Sequence, residues 1–74
     1  MDTRTRRCLL SYDRFERIIT DKGITCYRVA EMTGIRKSLF SDWKSGRAMP
    51  KFDKISKIAK ALEVDVTAIY GEEF

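Results

Sequence analysis

The segment from Thr25 to Gly46, TCYRVAEMTGIRKSLFSDWKSG, constrains the fold more than any other part of the chain. It carries two short helical patterns on either side of Thr33-Gly34-Ile35. Thr25 can cap the first pattern, which runs to about Thr33 and turns Val29, Ala30 and Thr33 inward. Gly34 supplies the positive backbone angle of a tight turn. Ile35 plugs the corner, and a second pattern from about Lys37 to Lys44 turns Phe40 and Trp43 inward before Ser45-Gly46 ends it. Two helices pinned at a steep angle in this way form a helix-turn-helix, whose second helix stands proud of the body and can enter a DNA groove.

The flanking sequence supplies three further helices. Residues 1–10 hold Arg4, Arg6 and Arg7 without periodicity and are expected to form a flexible basic arm ending in Cys8-Leu9-Leu10. Helix one is expected to start at Ser11 as cap, with Asp13 in the first turn and Leu10 stapled on Phe15. Phe15, Ile18 and Ile19 form its buried face, and Lys22-Gly23 closes it. After the loop Arg47-Ala48-Met49-Pro50, the set Phe52, Ile55, Ile58, Ala59 and Leu62 keeps helical spacing and marks the central core helix. Asp65 can cap a last short helix holding Val66 and Ile69, which Tyr70-Gly71 ends. The expected organisation is an arm (1–10), one all-α domain (11–71) and an acidic tail (72–74).

At 74 residues, the chain is near the lower limit for folding without metals or disulfides, which leaves room for one domain. Cys8 and Cys26 are its two cysteines and it has no histidine. A zinc site or disulfide framework therefore lacks ligands or partners, and a reduced, cytoplasmic setting is expected. Its apolar runs fall far short of the ~20 residues needed to span a bilayer, and no signal-peptide core follows the early arginines. Without a histidine, a glycine-rich phosphate loop or a nucleophile elbow, no enzyme is expected, and no cofactor or small-molecule ligand is evident. The net charge of +4 is unevenly spread: residues 1–51 hold twelve Lys/Arg against six Asp/Glu, and residues 52–74 hold three against five. A polyanion would meet the helix-turn-helix end first. From charge alone, a solvated surface with scattered lysines accounts for the distribution equally well.

From Phe15 to Tyr70 the chain resembles the Cro/CI-type helix-turn-helix repressor family. The resemblance is carried by Gly23, Val29-Ala30, Gly34-Ile35, Ser38, Phe40, Trp43, Ser45-Gly46, Pro50, Ile55, Ile58-Ala59, Leu62, Val64 and Ile69. It implies a compact five-helix, lambda-repressor-like DNA-binding domain whose helices two and three make the motif. It also implies a sequence-specific regulator of transcription, a repressor of phage, bacterial or mobile-element type that binds a palindromic operator as a homodimer, one that forms only on DNA being compatible. The dimer is expected to use the end of helix four and the last helix, or the arm. An antitoxin-like or other protein-interaction module on the same fold is the alternative.

By that resemblance helix three is the recognition helix. With Phe40 and Trp43 inward, Lys37, Ser38, Ser41 and Asp42 fall on the opposite side, with Arg36 just before the first turn. These five are the base-reading candidates: Arg36 and Lys37 for guanine O6 and N7, Ser38 and Ser41 as donor or acceptor, and Asp42 for cytosine N4. The phosphate-contact candidates are Cys26 and Tyr27 through the amides starting helix two, Lys51 through those starting helix four, and the side chains of Arg28, Lys44, Arg47 and Lys51.

The chain also departs from that family. Cys26 stands where many relatives carry a glutamine that braces the recognition helix; it is expected as a small filler, with an acidified thiol at a helix start as the other reading. Ile19 and Lys44 stand where relatives pair an arginine with a glutamate, so Ile19 is expected in the core and Lys44 free to reach a phosphate. Arg36 takes the place of a capping Ser or Thr. Leu39 is expected to be partly buried beside Trp43, with a thymine methyl contact as the alternative. For Tyr12, Tyr27 and Tyr70 the sequence leaves packing, phosphate bonding and a dimer contact open.

Overall fold

The computed structural model describes residues 3–71, and side chains from Arg6 onward. Five helices follow in order: α1 (Thr3–Lys22), α2 (Cys26–Thr33), α3 (Lys37–Lys44), α4 (Phe52–Leu62) and α5 (Thr67–Tyr70). There is no strand among the described residues, and the fold is the expected all-α one. No helix among them is long and apolar enough to cross a membrane.

The first helix corrects the expected arm and the start at Ser11. Helix α1 already begins at Thr3, because Cys8, Ser11, Tyr12, Phe15 and Ile19 recur at helical spacing and their face is covered by the rest of the fold. Cys8 is buried and Ser11 lies fully buried in mid-helix, so Ser11 is no cap. Leu10 is exposed, which removes the expected staple on Phe15. Residues 1 and 2 and the acidic tail at 72–74 lie outside the described residues.

At its other end α1 closes as its sequence dictates. Gly23 takes φ 69°, its N–H reaches Thr20 O at 3.1 Å, and the Ile24 N–H reaches Ile19 O at 3.0 Å. This pair of bonds satisfies carbonyls that a helix end otherwise orphans. Helix α4 ends the same way with a residue that has a Cβ: Glu63 sits at φ 58°, and the Val64 N–H bonds Ala59 O at 3.0 Å.

The core is aromatic where α1 meets α3. Phe15 lies 5.0 Å from Trp43 and 5.6 Å from Phe40, and Tyr12 meets the Trp43 ring edge-on at 5.4 Å. Helix α4 adds Ile55, Ile58, Ala59 and Leu62 against α2, and Ile69 of α5 completes the cluster. Fully burying a side chain of this size stabilises by about 1.5–3 kcal/mol. Phe52, expected in the same apolar face, is instead exposed and stacks on Tyr70 at 6.0 Å. It opens α4 about one turn before Ile55. The Arg14 guanidinium donates to Tyr70 O at 3.1 Å and ties α5 back to α1.

Candidate nucleic-acid interface

The corner between α2 and α3 is built from local chemistry. Thr25 Oγ1 accepts from the Arg28 N–H at 3.2 Å, which caps α2 and leaves the Cys26 and Tyr27 amides as its first two, without intrahelical acceptors. Gly34 turns at φ 72° with its N–H on Ala30 O. Thr33 Oγ1 donates to Val29 O at 2.8 Å and accepts from the Ile35 N–H at 3.3 Å, so one hydroxyl braces both sides of the turn. Ile35 is buried in the corner.

Helix α3 is held from behind. Trp43 is fully buried, and its indole N–H donates to Ser11 Oγ at 2.9 Å. Ser11 in turn donates to Cys8 O at 2.8 Å, and the Cys8 thiol lies 3.6 Å from Trp43 O. No local pattern signals this buried bridge, because Ser11 and Trp43 are 32 residues apart. With Phe40 and Trp43 locked inward, Arg36, Lys37, Ser38 and Ser41 are exposed and Asp42 is half-buried at the edge of the same face.

The structure pairs several of these side chains. Asp42 meets Arg47 at 3.5 Å, which places a cation beside the one carboxylate on this side of α3. The carbonyl of Asp42 accepts from the Arg47 N–H at 2.9 Å and from Ser45 Oγ at 3.0 Å, fastening the following loop to the end of α3. Arg28 lies 3.9 Å from Glu31, an exposed pair of little energetic weight. Lys37 places its ammonium 3.9 Å from the centre of the Tyr27 ring. Lys44 is exposed and in no ion pair among the described residues, while Ile19 is buried. Arg36 caps nothing with its side chain, so the first amides of α3 have no side-chain acceptor.

An open cleft of about 440 Å³ separates α3 from the loop and the start of α4. Leu39 and Met49 give it an apolar floor; Arg36, Lys51 and Lys54 are the cations along it. Leu39 packs partly against the core, as expected. Helical spacing alone does not bring Lys54 to this cleft beside Arg36, since its place there depends on how the loop folds back.

Cys26 does not carry an acidified thiol. Burial pushes its pKa above the ordinary 9.0, Lys44 opposes that shift, and Glu16 adds to it. Burial also raises Cys8. Among the described residues no cluster of His, Cys, Asp and Glu is placed to hold a metal ion.

A capped helix, a glycine turn and a second helix locked from behind with its polar side outward define a helix-turn-helix DNA-binding domain of the five-helix kind. A family model described as the Cro/C1-type HTH DNA-binding domain matches residues 14–71, and the chain belongs to that family. A comparison with curated proteins found no match, and neither did one with solved structures. The family is one of DNA-binding transcription regulators.

Proposed function

We propose that this protein is a sequence-specific repressor that lays α3 in the major groove of its operator. Arg36, Lys37, Ser38, Ser41 and Asp42 then face base edges. The first amides of α2 at Cys26 and Tyr27, and those of α4 beside Lys51, hold phosphate oxygens, with Arg28, Lys44, Arg47 and Lys51 around them. The observation that carries this reading is the contrast between the two sides of α3: Phe40 and Trp43 are buried against α1, and the opposite side is polar and exposed. The Arg47 guanidinium beside Asp42 offsets the repulsion a carboxylate meets among phosphates and leaves it able to accept from a cytosine amine.

The domain measures 31 × 25 × 22 Å, less than the ~34 Å of one duplex turn. Reading two half-sites one turn apart takes two copies, which is why a palindromic operator bound by a homodimer is part of the proposal.

Selection from random duplexes at physiological salt, followed by a salt titration of the selected sequence, tests it. Four to seven phosphate contacts per monomer give a slope of log affinity against log salt of roughly −4 to −6. A flat slope and no selected sequence refute the repressor reading in favour of a protein-interaction module.

A further inference from the structure

Lys37 is the first residue of α3, and the residue before it, Arg36, is also cationic. Two cations at a helix N-terminus stand against the positive end of the helix dipole, and no side chain caps that end. A lysine so placed gains by swinging away from the helix axis. It also has the long, rotamer-rich stem that makes a free ammonium a poor reader of a single base edge.

The structure gives that ammonium a seat. Tyr27, the second residue of α2, is 55% exposed and lies outside the buried core, so its ring face is open. The Lys37 Nζ sits 3.9 Å from the ring centre, well inside the ~6 Å at which a cation is attracted to an aromatic face. Cys26, the neighbouring side chain at the start of α2, is half-buried and is influenced by Lys44 and Glu16 instead.

We infer that Tyr27 is a positioning residue for base recognition: its ring holds the Lys37 ammonium at a fixed place in front of the base edges and so sets the preference at the base pair that Lys37 meets. This rests on the DNA-reading role of α3 proposed above. The contact is compatible with readout, because an ammonium on a ring face keeps N–H donors for guanine O6 and N7. It also joins the start of α2, whose free amides lie at Cys26 and Tyr27, to the start of α3 through one side-chain pair.

The test compares wild type, Y27F, Y27L, K37M and the Y27L/K37M double variant in three measurements. The first is the NMR shift of the Lys37 ε-protons in the DNA-free protein, which a ring beneath them moves upfield. The second is the sequence preference selected from random duplexes. The third is the salt slope on an unselected random duplex.

The expected result is an upfield shift present in wild type and Y27F and absent in Y27L. Y27L is also expected to lose about two- to five-fold in preference for the selected duplex over the random one, confined to one base pair in each half-site. The random-duplex salt slope stays unchanged, and Y27L adds nothing once Lys37 is methionine.

Unshifted wild-type ε-protons overturn the inference, as do additive effects in the double variant. It is equally overturned if Y27L weakens every sequence alike and lowers the slope by about one, the signature of a phosphate contact. If wild type selects no sequence while its ε-protons remain shifted, the DNA reading itself has failed and the positioning role falls with it. If wild type selects normally and only the Y27L outcomes fail, the DNA reading stands and the positioning role alone is lost.

Discussion

Replacing Ser11 by alanine leaves the Trp43 indole N–H without an acceptor in the centre of the molecule. Ser11 and Trp43 are both fully buried, so water cannot take the place of the hydroxyl without opening the core. The bond measures 2.9 Å and joins α1 to α3; Ser11 also donates to Cys8 O, but that carbonyl belongs to α1 and keeps its helical donor. The cost of the substitution is therefore the stranded indole donor, about 2 kcal/mol. A domain of 74 residues has about 4–11 kcal/mol of stability in all. Ser11→Ala is expected to lower Tm by about 8–16 °C.

Urea denaturation followed by far-UV circular dichroism measures the loss, and a cycle with Trp43→Phe assigns it. Phenylalanine has no N–H to strand, so Ser11→Ala in that background is expected to cost far less, giving a coupling of about 1–2 kcal/mol. A Ser11→Ala loss below about 0.5 kcal/mol, or equal losses in both backgrounds, refutes the bridge as what holds α3 against α1.

Three other perturbations follow from particular backbone and side-chain features. Glu63 holds a left-handed conformation at φ 58°, and Glu63→Gly is expected to raise stability by about 1 kcal/mol, read as a higher urea midpoint at constant m-value; a lower midpoint contradicts it. Gly71 lies at φ 80°, a backbone conformation L side chains rarely adopt, and a Cβ there would push aside the Arg14 guanidinium that donates to Tyr70 O, so Gly71→Ala is expected to cost about 1–3 kcal/mol in backbone strain and to release α5 from α1, seen as faster amide exchange in residues 67–71. Burial raises Cys8, Cys26, Tyr12 and Tyr70 above their ordinary 9.0 and 10.0, so the folded state keeps protons that the unfolded chain gives up. Their contribution is fully present below pH 9 and is lost as pH rises through the folded values; Tm should hold to about pH 8 and fall above 9, and a Tm that climbs there is the contrary result.

What could be read from sequence followed local chemistry, and what could not depended on distant partners. The Thr25 cap, the Gly34 turn and the inward pair Phe40 and Trp43 each act within a few residues, and α2 and α3 begin and end where they imply. Ser11 shows the opposite case. A serine before an amphipathic run is a good helix cap, and the same residue is tolerated mid-helix when its hydroxyl bonds a carbonyl one turn back, as Ser11 does with Cys8. Trp43 supports the second role, and no window around residue 11 contains it.

The same division runs through the site. Helical period alone turns Lys37, Ser38, Ser41 and Asp42 to one side of α3, with Arg36 just before it, because a helix packed on one face shows the other to solvent. It does not pair Asp42 with Arg47, which depends on the path of the chain after α3, nor seat Lys37 on Tyr27, which depends on how the turn at Gly34 sets α3 against α2. Those two pairs change the chemistry of the face. One sets a guanidinium beside its carboxylate and the other sets one of its ammonium groups on a ring, so the face presents fewer freely moving charges than its sequence suggests.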